Sequence, residues 1–184
     1  MDKGLLRTAQ QNLRITDVAL RDSRCLLADR FEPKYEHPEM DVQLLQRTTR
    51  SEILETEDGG HGEHKLFRVF VELGIRWVRR PAKPRARKRA RTDAAVTTKA
   101  EPEMLARIEA TFIAEYEIAE PTDKPALDEF AIYNAPFNVW PFWREFVASQ
   151  CSRMNLPKAM MPLQGFRPRK NPIAGAHGVD KSHR

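Results

Sequence analysis

The sequence predicts an α+β fold: a four-stranded antiparallel sheet with one apolar face, followed by a long amphipathic helix. Three observations carry this. Phe67, Val69, Val71, Leu73, Ile75 and Trp77 occupy every second position, the period of a half-buried strand and not of a helix. Ile108, Ala110, Phe112, Ala114, Tyr116 and Ile118 repeat that pattern, with Arg107, Glu109, Thr111, Glu115 and Glu117 between them. One apolar and one polar face belong to an antiparallel sheet covered on one side. Val139, Trp140, Trp143, Phe146, Val147, Cys151 and Met154 then fall at three-and-four spacing, the stripe of an amphipathic helix.

The remaining elements follow in chain order. Residues 1–12 read as a flexible arm. From Leu13 to Leu27 apolar residues are scattered among polar ones, which predicts a first strand with a bulge or bend. Phe31 to Pro38 holds two prolines and is a connection. Met40, Val42 and Leu44 alternate with Asp41 and Gln43 and open a second strand that continues past Arg47 towards Ile53. Asp58-Gly59-Gly60 marks a turn. Between the third and fourth strands, residues 80–102 are rich in Pro, Ala and charge. They lack the bulky apolar surface needed to offset ordering entropy, so a disordered basic insert is expected. After Pro121 the period changes. Pro136 suits a first helical turn, and Pro141 is expected to kink or delay the helix. Pro157 and Pro162 break a short apolar segment at 155–166, and 167–184 reads as a disordered basic tail. One domain is thus expected over 13–166.

A domain of this size buries a core without disulfides or metals. The two cysteines, Cys25 and Cys151, fit free thiols in a reducing cytoplasm better than a secreted framework. The first residues have no signal-peptide character, and no run of about 18 apolar residues predicts a membrane span. The net charge is +5, and it is unevenly spread: the tract Arg79–Arg91 carries many Lys and Arg and no acid, while the rest is slightly acidic. Arg85, Arg87, Lys88 and Arg89 are candidates for non-specific phosphate contact. The tract has no aromatic residue for base stacking, and a solvated insert fits it slightly better.

Catalytic signals are weak. His61 and His64 flank a glycine-rich turn beside Glu57, Asp58 and Glu63, but a metal site needs further ligands, and a solvated turn fits better. No serine-nucleophile, phosphate-loop or dinucleotide motif occurs. Cys151 lies on the apolar stripe, as a buried structural thiol does. The chain is therefore expected to be no enzyme and to need no cofactor. Phe130, Tyr133, Phe137, Trp140, Phe142 and Trp143 cluster around two prolines. They point in too many helical directions for one sheet face to cover, so some are expected at a subunit interface or an exposed groove.

Several stretches resemble the SecB export-chaperone family. Residues 135–166, APFNVWPFWREFVASQCSRMNLPKAMMPLQGF, are similar to the family's proline-bracketed helix start, its Arg-Glu pair, its Ser/Thr-Arg ending and the segment after it. Pro136, Pro141, Arg144, Glu145 and Arg153 stand where that pattern wants them, with Asn138 offset by one. PEMDVQL at 38–44 resembles the second strand, LRDS at 20–23 the end of the first, and TFIAEYEI at 111–118 the fourth. The resemblance implies a sheet with the helix on one face, assembled as a dimer of dimers (a homotetramer). It implies a holdase that binds unfolded preproteins in apolar grooves without nucleotide, for export through the Sec translocase. By position it assigns Met40, Val42 and Leu44 to the groove floor and Phe137, Trp140 and Leu156 to its walls. It assigns Asp22 and Glu115 to docking of the SecA motor. The basic charge, the insert and the basic tail depart from typical members. They favour the chaperone reading over the export reading, with a dedicated client such as an antitoxin as one alternative and nucleic-acid binding through the insert as another.

Overall fold

Alternating apolar residues bury one side of a strand only when neighbouring strands bring their own apolar rows to the same face. In the computed structural model that is what the two alternating stretches do. The structure describes residues 1–58, 62–80 and 102–161, the side chains at 56–58 and 62–64 excepted. Its elements are α1 (Lys3–Asn12), β1 (Leu13–Leu27), β2 (Met40–Asp58), β3 (Gly62–Arg79), β4 (Met104–Ile118), α2 (Lys124–Tyr133) and α3 (Ala135–Arg153). The four strands form one antiparallel sheet in the order β1-β4-β3-β2. At its centre Phe67 lies opposite Tyr116, Val69 opposite Ala114, Val71 opposite Phe112, Leu73 opposite Ala110 and Ile75 opposite Ile108. All ten are buried on the side that the helices cover.

The cover comes mainly from α3. Val139, Trp140, Trp143, Val147 and Cys151 form its buried stripe, as the spacing predicts. Trp143 and Phe146 both meet Phe112 edge-on, at 6.5 and 6.3 Å between ring centroids, an arrangement favoured by the ring quadrupole. Pro136 sits in the first turn. Pro141 neither ends nor delays the helix, which runs from Ala135 to Arg153; its ring is exposed. The helix stops where Asn155 takes a left-handed φ of 53° and the Leu156 amide returns to the Cys151 carbonyl at 2.9 Å. This C-terminal motif folds the next apolar residue back onto the core, which is why Leu156 is buried.

Two helices lie where the sequence pattern gave none. Residues 1–12 are not a loose arm. Asp2 caps α1 by accepting from the Gly4 and Leu5 amides at 2.8 and 3.2 Å, the standard remedy for unpaired donors at a helix start. Ala9 is fully buried, and the Gln10 side-chain amide donates to Asn134 Oδ1 at 2.8 Å. The fold therefore begins before residue 13. α2 buries Ala126, Leu127, Phe130 and Ala131, and Phe130 meets Tyr116 edge-on at 4.8 Å. The expected bulging of β1 is present as two register shifts, between Ile15 and Asp17 and between Leu20 and Asp22. Residues 81–101, His61 and the segment from 162 onward lie outside the described residues, so the insert and tail fall largely there.

Candidate functional site

On the helix-covered side of the sheet, α2 and α3 lie over the two central strands and leave the same face of the two edge strands partly bare. Register places Ile15, Val18, Leu20, Cys25 and Leu27 of β1 on this side, and Met40, Val42, Leu44 and Ile53 of β2. The central residues Val69, Val71 and Leu73 are fully buried, whereas Ile15, Leu20, Val42 and Ile53 are exposed by 49%, 47%, 48% and 50%. Phe137 and Phe142 project from the outer side of α3, exposed by 58% and 46%. Apolar surface of this kind, repeated along two strands and a helix, is what a partner would cover.

The floor residues suggested by the sequence come together. Met40, Val42 and Leu44 follow one another along the helix side of β2; Val42 is the most exposed, and Met40 and Leu44 pack partly against the core. The wall residues separate. Phe137 is exposed, but Trp140 and Leu156 lie in the core at 2% and 6% exposure. The aromatic cluster divides likewise: Phe130, Trp140 and Trp143 are buried, while Phe137 and Phe142 face outward.

The face is divided by α2. The Thr48 hydroxyl donates to the Ala131 carbonyl at 2.7 Å, fastening the end of α2 over the middle of β2. A register shift between Thr48 and Arg50 sits at the same place. Met40–Leu44 lie on one side of this fastening. On the other, Ile53 faces a cleft of about 750 Å³ bounded by Glu55, Lys65, Ile118, Pro121 and Thr122. The sequence pattern placed Ile53 at the end of the second strand but not on the row of Val42 and Leu44, because the register shift at Thr48 intervenes.

The far side of the sheet is charged. Arg47 pairs with Glu72 at 2.7 Å, Arg50 with Glu52 at 3.7 Å, and Arg68 with Glu115. The Arg50 guanidinium also stacks over Phe70, 3.9 Å from its ring centroid. Both suggested docking acids lie on this side. Asp22 is exposed, and Glu115 is held by Arg68. Arg85, Arg87, Lys88 and Arg89 lie outside the described residues, as do His61 and the His64 side chain.

The titratable groups inside the helix side serve packing. Burial pushes the Tyr116 phenol up to about 12, although a hydrogen bond from Asn138 Nδ2 at 3.1 Å pulls the other way. Burial also raises the thiols of Cys151 and Cys25, which keeps them protonated and weakly nucleophilic. Among the described residues no group of three or more His, Cys, Asp or Glu side chains is placed to hold a metal. Among them too, no helix is long and apolar enough to cross a membrane.

No protein-family model matches the chain, and no curated protein matches it. Solved structures do. The chain is similar to the Mycobacterium tuberculosis SecB-like chaperone Rv1957, solved in complex with a ChAD peptide from the HigA1 antitoxin Rv1956. The TM-score is 0.58 at 15% identity, over 91% of this chain and 100% of that one. At that identity the likeness is one of fold: the chain adopts the fold of a SecB-like chaperone, the fold that its sequence resemblance implied.

Proposed function

We propose that this protein is a holdase chaperone that binds non-native polypeptide along the bare helix side of its edge strands. The observation that carries the reading is the contrast between the sealed centre and the half-exposed apolar edges of one sheet face. Met40, Val42 and Leu44 form the floor of a groove, with Phe137 as its outer wall; Trp140 and Leu156 lie in the core and do not line it. Each well-buried client side chain contributes roughly 1.5–3 kcal/mol before ordering costs. Several such contacts on one chain add avidity through effective concentration. Holding the unfolded state lowers its free concentration and slows aggregation by mass action. No nucleotide and no catalytic step enter this mechanism, and it operates in the reducing cytoplasm with Cys25 and Cys151 as free thiols. Exposed Phe137 and Phe142 are further reason to expect self-assembly, as a dimer of dimers.

Two kinds of client remain, and a specific observation favours one. Export through SecA needs free acidic groups on the charged side of the sheet; Glu115 is paired with Arg68, which leaves Asp22 as the exposed one of the two suggested acids. The Rv1957 structure carries an antitoxin peptide. Both support a dedicated client protein over general preprotein export. The deciding experiment combines light-scattering mass with suppression of aggregation of an unfolded client, without ATP. A tetramer that suppresses aggregation, and loses that activity in Val42→Arg with Phe137→Asp, supports the reading. A folded wild-type protein without effect on aggregation overturns it.

A further inference from the structure

We infer that Cys25 and Cys151 are a redox-sensitive staple: on oxidation they join in a disulfide that fastens the C-terminal end of α3 to the edge strand β1. The inference goes beyond the holdase reading and needs no client. Contacts along α3 bring the two thiols together. Asn138 Nδ2 donates to the Tyr116 hydroxyl at 3.1 Å. Eight residues on, Phe146 meets Phe112 edge-on at 6.3 Å between ring centroids. Those eight residues advance about 12 Å along the helix, and Tyr116 to Phe112 is about 13 Å of strand. α3 therefore runs along β4 towards the start of that strand. Cys151 lies about 7.5 Å further on, level with Ala110 and Ile108. Register sets Ser23 beside Ala110 and Cys25 beside Ile108. Cys25 packs against the core that contains Cys151. α3 and β1 approach to within 8 Å between Cα atoms, near the roughly 7 Å that a disulfide can span. Charge on Cys25 also raises the Cys151 thiol, an influence that acts between neighbours.

The two thiols differ in access, and that difference orders the chemistry. Cys25 is partly exposed at the margin of β1, whereas Cys151 is fully buried. The oxidant is a small disulfide such as oxidised glutathione. The Cys25 thiolate attacks one of its sulfurs, the S–S bond breaks, and one glutathione leaves as the thiol. The Cys151 thiolate then attacks Cys25 Sγ, and the second glutathione leaves in the same way. The two cysteine protons pass to the two glutathione thiolates, and the two electrons lost by the cysteines reduce the oxidant. Burial raises both thiols, so exchange is slow and the pair answers sustained oxidation. Among the described residues β1 is held in the sheet by β4 alone, across two register shifts. The staple ties this interrupted edge to the helix that seals the centre. It also constrains the unfolded chain across the long loop from Cys25 to Cys151.

The test incubates the full chain with oxidised or reduced glutathione, then combines peptide mapping by mass spectrometry without reductant with the rate of unfolding in urea. The expected product is one chain that has lost two hydrogens, with the Cys25 peptide joined to the Cys151 peptide. Its unfolding should slow at least tenfold, and dithiothreitol should restore the original rate. Cys25→Ser, altered at the partly exposed position, should gain no resistance from the oxidant. Cys151→Ala should stop at the first step, with glutathione held on Cys25. Should that core variant fail to fold, the wild-type map and Cys25→Ser decide the matter. Glutathione retained on Cys25 in the wild-type chain overturns the inference, as does a Cys25 link between two copies or an unreacted Cys151. A disulfide that forms within the chain but leaves the unfolding rate unchanged overturns the staple as well. None of these outcomes bears on aggregation suppression, so the holdase reading is tested separately.

Discussion

β3 and β2 lie side by side and carry apolar rows on the same face, yet they end in different environments. Leu73 on β3 is sealed under α3, and Val42, two positions from Leu44 on β2, is half open to solvent. The difference is cover and not composition. Two helices of 10 and 19 residues span the two central strands, and each edge strand keeps a margin. That margin is where the fold's surplus of apolar surface resides. An alternating pattern thus tells which side of a strand faces inward, and the width of the covering layer decides whether that side is closed.

The largest effect that separates the two regions is in the centre. Trp143→Ala removes a fully buried ring that meets Phe112 edge-on and should cost about 3–5 kcal/mol, read from urea unfolding. Val42→Arg on the margin should change stability by less than about 1 kcal/mol while reducing client affinity at least tenfold. Equal stability losses at the two positions would erase the distinction between centre and margin.

The next effect is electrostatic. The Tyr116 phenol holds its proton up to about 12, against an ordinary value of 10.0. Between those pH values the folded chain binds a proton that the unfolded chain has released. Stability is therefore unaffected below about pH 10 and falls as pH rises through 12, by about 3 kcal/mol at most. Tyr116→Phe should flatten that part of the alkaline unfolding curve monitored by circular dichroism.

Smaller effects sharpen the boundary. Thr48→Val keeps shape but loses the bond to Ala131, so about 1 kcal/mol is expected. Its clearer signature is faster amide exchange at the end of α2. Arg68→Ala removes the partner of Glu115 on the charged side. The side chains are partly exposed, so the cost should be under about 1 kcal/mol and should shrink further in salt. The same variant frees Glu115. Gain of binding to a basic partner would show that the ion pair had been suppressing that contact.

The central strands were legible because six apolar residues recur without a break at period two, and α3 because seven recur at helical spacing. α1 and α2 were hidden for different reasons. In α1 only Leu5, Leu6 and Ala9 turn inward, and Gly4 weakens the pattern. Its one clear sign was Asp2 before a run of helix formers. In α2 the sign was Pro125 in the first turn after Asp123, but the aromatic cluster beyond it drew attention to the next helix. Met40, Val42 and Leu44 were readable as one face of a strand. Trp140 was readable as core from the helical stripe, although the resemblance assigned it to a wall; Leu156 was not, because its burial depends on the backward turn at Asn155. Ile53 was missed because the bulge at Thr48 shifts the alternation that would have linked it to Val42.

The strand order has one more consequence. β2, β3 and β4 follow one another in sequence, but β1 pairs with β4, and its nearest partners, Leu27 and Ala106, are far apart in the chain. Closing a loop of about 80 residues costs roughly 1 kcal/mol more than closing the 24-residue link from β3 to β4. We expect β1 to join the sheet last, so that Val18→Ala accelerates unfolding and leaves refolding almost unchanged. Slower refolding in that variant would place β1 in the nucleus instead. While the chain is being made, β1 must wait until β4 has been synthesised. For that interval the chain is left with β1 unpaired and the edge of β3 that β4 will cover still open, and those two strands are its points of vulnerability.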